Sequence, residues 1–135
     1  MSNPIPPFIS PGAAYDVEAG QTYTGVVEGS LTILAGGEVI DSLISAGGVE
    51  TVHDYGSLDS GSVIDSGGFD YVYMGGLESA VTVSAGGTLI IEGGIAAGSL
   101  INGGSALVQG GSTLSDTTIT SGGVVQPRST TPAAG

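Results

Sequence analysis

The chain has 135 residues, enough for one domain, and it contains 26 glycines, five tyrosines, two phenylalanines, no tryptophan and no cysteine. So little bulky material argues against a conventional layered core and for a slender architecture with an aliphatic interior, and the lack of cysteine excludes disulfides and thiolate metal sites. Thirteen acidic residues against one basic residue give a formal net charge of −12, which excludes nucleic acid and anionic membrane surfaces as partners, while 40% hydrophobic residues supply enough apolar surface to fold.

Residues 1–12, MSNPIPPFISPG, read as a proline-rich N-terminal arm. The segment has neither the basic n-region nor the continuous apolar h-region of an ordinary secretory signal, and no apolar run in the chain reaches membrane-spanning length, so no membrane insertion is expected. Proline favours extended backbone and cannot donate to a strand ladder. Ile5, Phe8 and Ile9 are therefore a candidate assembly arm, folded over the chain's own first turn as a cap or laid along a neighbouring subunit as a strap.

Residues 13–123 read as a β-solenoid, with an irregular first rung from Ala13 to Gly29 and a regular repeat from Ser30 to Gly123. Glycine pairs recur at 36–37, 47–48, 67–68, 75–76, 86–87, 93–94, 103–104, 110–111 and 122–123. Cutting after each pair yields alternating short arms such as SLTILAGG and FDYVYMGG and long arms such as EVIDSLISAGG and STLSDTTITSGG. One short arm plus one long arm makes a unit of 17–20 residues, and five units follow one another. A period of this size is the signature of a stacked repeat.

The fourth position of the short arms holds Ile33, Val52, Val72, Ile91 and Val108, all β-branched, as one inward column of a strand stack requires. Three residues before the glycine pair that ends each long arm stand Ile44, Ile64, Val83, Leu100 and Ile119, a second column. Glycine pairs every 7 to 12 residues exclude helix, since each glycine costs about 1 kcal/mol against alanine in a helix interior. The expected fold is all-β: a single-stranded right-handed parallel β-helix, about one rung per repeat, with essentially no helix. Residues 124–135 read as a C-terminal tail, in which Pro127 falls at the core-column position.

Catalytic, cofactor and metal sites are all expected to be absent. The one histidine, His53, precedes Asp54, but a neighbouring pair fixes none of the geometry that acid–base chemistry needs, so it reads as a solvent-facing strand residue. Glu38, Asp41, Asp59, Asp65, Asp70, Glu78 and Asp116 do not recur at one rung position in the two-armed repeat. They read as scattered, solvated carboxylates, with Glu78→Gln nearly silent. The polysaccharide-cleaving β-helices combine carboxylates with basic or metal-bound groups, and this chain has no lysine. Tyr55, Phe69, Tyr71 and Tyr73 cluster on adjacent rungs, as a candidate contact patch or as cross-rung stacking.

ISAGG at 44–48, IDSGG at 64–68, VSAGG at 83–87 and ITSGG at 119–123, with the apolar-x-x-Val-x-x-Gly-Gly short arm, resemble the glycine-rich passenger repeats of self-associating autotransporter adhesins, the diffuse-adherence repeat family. The resemblance covers about 95 residues, from Ser30 to Gly123. It implies a β-helical rod at the cell surface or outside the cell, holding cells to each other or to surfaces, without catalysis. Some members carry sugars on long-arm serines and threonines, and the matching positions are Ser45, Ser84, Thr120 and Ser121. The expected partner is a second copy, head to tail, in a fibre, matrix or biofilm-type assembly. The alternative is a monomeric module of a larger adhesin that binds a glycan or another cell through its side.

Overall fold

The computed structural model describes residues 5–53, 57–109 and 111–128. Twenty short strands and no helix occupy them. The strands form three parallel sheets of seven, seven and six members, stacked as a β-solenoid of about six turns. Each turn visits three faces in a fixed order. The first face runs from Phe8–Ile9 to Thr118–Thr120, the second from Ala14–Val17 to Val124–Arg128, and the third from Thr22–Tyr23 to Thr113–Ser115.

The two-armed repeat is thus three-sided. Each short arm is a strand of the second face, and each long arm holds a third-face and a first-face strand with a corner between them. That corner is made by one residue in the left-handed region: Asp41 (φ 55°), Gly61 (73°), Ala80 (55°), Gly98 (71°) and Asp116 (53°). Its N–H donates to the rung above, as from Asp41 to the Ser60 carbonyl at 2.8 Å and from Ala80 to that of Ala97 at 2.9 Å. Aspartate, glycine and alanine all serve there, so no single residue type marks the corner in the sequence.

The glycine pairs answer two separate needs. At 67–68, Gly67 adopts φ 81°, which glycine reaches without steric cost. A Cβ on Gly68 would lie 2.5 Å from the carbonyl oxygen of Ile44, one rung below. The first glycine turns the chain and the second lets rungs close to ladder distance.

Register aligns Ile33, Val52, Val72, Ile91 and Val108 in one column, with Val17 before them and Pro127 after. All are fully buried from Val17 to Ile91, and Val108 packs partly buried against the core. The other column is Ile9, Val27, Ile44, Ile64, Val83, Ile101 and Ile119. Leu100 is not in it: Leu100 pairs with Thr82 and Thr118 and is half-buried, while Ile101 takes the inward place. The arm IAAGSLINGG has lost one residue between Ile101 and the glycines, so counting back from the pair lands one position early.

The ladder also extends beyond residues 13–123 on both sides. Phe8–Ile9 pairs with Val26–Val27, and Val124–Arg128 pairs with Ser105–Gln109. At the N-terminal side the prolines permit this because they flank the first strand rather than interrupt it, whereas Pro127 lies within the last strand, in register with Val108. Pro7 needs to supply only its carbonyl, which accepts from the Val26 amide at 2.9 Å.

Candidate functional site

The two ends of the solenoid differ. At the N-terminal end Ile9, Val17 and Tyr23 are buried, and Ile5 packs against this same core. The Tyr23 hydroxyl lies 3.3 Å from the carbonyl oxygens of both Pro7 and Val26, and burial, then the Glu50 charge, pushes its pKa up to about 12. Within the single chain Ile5 and Ile9 thus lie against its own first turn, the arrangement expected of a cap. Ile9 is a core residue and Phe8, half exposed, its outward strand neighbour. At the other end the Ile119 column stops uncovered by the described residues: Ile119 is 51% exposed, although Ile44, Ile64 and Ile101 in the same column are at 0%, while Val125, in register with the buried Ala106, is half-buried against the core.

On the second face Phe69, Tyr71 and Tyr73 point outward, because strand alternation sends Asp70 and Val72 inward. The Tyr71 and Tyr73 rings stack at 6.1 Å with 6° between planes, and His53 meets Tyr73 edge-on at 5.6 Å. His53 is exposed, as expected. Tyr55 lies outside the described residues. The third face carries a feature missed in the sequence: Leu58, Leu77 and Ile95 follow one another in register as an exposed aliphatic stripe. Of the positions matched to sugar carriers, Thr120 and Ser121 are exposed and Ser45 and Ser84 half-buried.

Among the described residues, four carboxyl side chains lie in the interior. Glu50 and Asp70 are in register on the second face, and Asp59 and Glu78 on the third. All four are buried. Leu31 and Val39 precede them in their columns and Leu89 and Ala96 follow, so the polar layer is enclosed along the axis by apolar rungs. Oxygens of Glu50, Asp59 and Asp70 lie within 4.8 Å of one another. The Ser62 hydroxyl donates to Asp59 Oδ1 at 2.5 Å. The other seven carboxyl oxygens have no hydrogen-bond donor among the described residues outside the carboxyl groups themselves.

This corrects the reading of scattered, solvated carboxylates. Asp41, Asp65 and Asp116 are exposed and Glu38 is half-buried, but Asp59, Asp70 and Glu78 are core residues. Asp59 and Glu78 recur at one rung position once the long arm is divided at its hidden corner, and Asp70 recurs with Glu50 in the short arm. Glu50 was not singled out at all. The signal was available: with Val52 and Val72 assigned inward, a period of two puts Glu50 and Asp70 on the same side.

Burial pushes the carboxyls of Glu50, Asp70 and Glu78 well above the usual range. Neighbouring charge adds to this, from Asp59 and Asp70 at Glu50, and from Glu78 and Asp59 at Asp70. Asp59 is raised by burial to only about 6, because the Ser62 hydroxyl, Glu50, Asp70 and the Ser60 amide all hydrogen-bond to its charged form. Asp59 is the natural anion of the group and the others its proton donors.

No protein-family model and no curated protein matches the sequence. Among solved structures, the chain is similar to the crystal structure of a hyper-glycosylated fragment of TibA, its glycosylation catalysed by TibC, with a TM-score of 0.82 and 30% identity over 94% of this chain. The chain spans 47% of that fragment. Agreement at this level supports a relation between this solenoid and the passenger repeats of autotransporter adhesins.

Proposed function

We propose that this chain is an adhesive, non-enzymatic β-solenoid that acts at the cell surface or outside the cell and self-associates end to end. The supporting observation is the contrast between its ends: Ile5 and Tyr23 pack over the first rung, while among the described residues Ile119, the last of its column, is left half exposed. An uncovered rung offers unpaired backbone groups together with apolar columns. A second copy, docking its N-terminal end with Phe8 outward, covers such a rung, and a head-to-tail contact that does not close on itself grows into a filament. Light scattering over a range of concentrations, with negative-stain imaging, tests this. Large species that vanish in Ile119→Glu support it, and a monomer at every concentration overturns it.

The second reading is a monomeric module of a larger adhesin that binds a glycan or another cell through its side. The outward ledge of Phe69, Tyr71 and Tyr73 favours it, since exposed aromatic faces combine apolar area with a polar edge. Binding of the monomer to an immobilised glycan array, lost in Tyr71→Ala with Tyr73→Ala while the melting curve is little changed, would establish this role.

A further inference from the structure

We propose that Glu50, Asp59 and Asp70, with Glu78 beside them, form a calcium site sealed inside the solenoid. Three observations on the described residues lead there. Carboxyl oxygens from two faces and two consecutive rungs converge to within 4.8 Å. All four side chains are buried, and seven of their oxygens lack a donor outside the group. Apolar rungs bearing Leu31, Val39, Leu89 and Ala96 adjoin the layer above and below.

The donor set decides the kind of ion. It is all oxygen, with no cysteine in the chain and its one histidine exposed on the outer face, which selects a hard cation. Calcium takes six to eight oxygens at 2.3–2.6 Å in flexible geometry, so oxygens around one calcium stand up to about 5 Å apart. Magnesium demands a tighter octahedron and keeps several of its waters, which a layer between apolar rungs is poorly placed to supply. Protons and calcium compete for the group: neutral carboxyls can pair their O–H donors with one another's carbonyl oxygens, whereas one calcium joins oxygens of Glu50, Asp59 and Asp70 at a single centre and balances two carboxylate charges, the remaining carboxyls keeping their protons. An enclosed site fills as the chain folds, so the ion joins face two to face three during rung closure.

The experiment is refolding of the full chain from denaturant, in calcium or in chelator, followed by exhaustive dialysis, metal analysis and melting. The expected result is one calcium retained per chain and a melting temperature higher by on the order of 10 °C than after chelator refolding. Glu50→Gln with Asp70→Asn should retain none. Should that variant fail to fold, Glu50→Leu with Asp70→Leu, which continues the column of Leu31 and Leu89, removes the ligands while keeping an apolar core, and it should melt at the same temperature in calcium and chelator. Absence of retained calcium in the native chain overturns the proposal. So does equal retention by native and substituted chains, since the ion would then sit on surface carboxylates.

Discussion

Glu50 and Asp70 face each other on consecutive rungs, fully buried, in a column that passes from Leu31 through both carboxyls to Leu89. Their raised pKa values reverse the familiar effect of acid on stability. Between a carboxyl's unfolded pKa and its higher folded pKa, the folded state binds more protons, so stability is present below the first and declines as pH rises through the second. For Asp59 the window runs from 3.8 to about 6. For Glu50, Asp70 and Glu78 it opens at their ordinary values and extends upward, and for Tyr23 it lies between 10 and about 12. In chelator, the melting temperature should be highest near pH ~4 and fall toward neutrality. Glu50→Leu with Asp70→Leu should flatten this slope, which separates the buried group from the general self-repulsion of an acidic surface. A melting temperature that climbs steadily from pH 4 to 7 in the native chain would contradict the assignment.

Ile64 and Ile119 occupy the same column, one in mid-rod at 0% exposure and the other its last described member at 51%. Ile64→Ala should cost about 2–5 kcal/mol through lost burial and a cavity. Ile119→Ala should cost under about 1 kcal/mol in the monomer, since much of its surface already meets water. Denaturant melts of the two variants at low protein concentration make the comparison.

Gly68→Ala and Gly122→Ala separate the two roles of the glycine pair. The first drives a methyl to 2.5 Å from the Ile44 carbonyl and should cost about 3 kcal/mol or more, because backbone on both rungs must shift. At Gly122 nothing lies within 4 Å of an added Cβ, and only its φ of 81° resists, for about 1–2 kcal/mol. Equal losses would mean that rung spacing is not what the second glycine protects.

Ala80 sits at φ 55° in the corner where Gly61 and Gly98 stand on neighbouring rungs. Ala80→Gly relieves left-handed strain of about 1–2 kcal/mol and loses about 0.5–1 kcal/mol to the unfolded chain's greater freedom. A small net rise in melting temperature is expected. A clear fall would show that the Ala80 methyl contributes packing which outweighs its strain.

The columns and two of the corners were legible in the sequence because each rests on a residue type that physics restricts: β-branched aliphatics inward, and glycine where φ is positive or a Cβ has no room. The third corner needs one left-handed residue and no close approach, so Asp41 and Ala80 serve as well as glycine and leave no periodic mark. Missing it joined two faces into one arm and hid the match between Asp59 and Glu78. The inward carboxyls escaped for a second reason. Charge is read as solvent exposure, and that expectation overrode the alternation that placed Glu50 and Asp70 beside Val52 and Val72. Leu100 failed through a deletion in a turn, which shifts a count taken from the turn but leaves the strand ladder intact.

Because successive members of every sheet are successive rungs, the hydrogen bonds between them, such as Val63 N–H to Ser42 O and Thr82 N–H to Ser62 O, run along the rod axis. A tensile load applied to the two ends therefore pulls on these ladders in series and opens one rung at a time, in peeling rather than shear. Each rung freed releases 16 to 20 residues, by the register steps from Val17 to Ile33 and from Val52 to Val72, or on the order of 60 Å of extended chain. Under force the solenoid lengthens stepwise and absorbs work before its ends let go, with the rungs of Glu50 and Asp70 the point where the force needed depends on what occupies their interior.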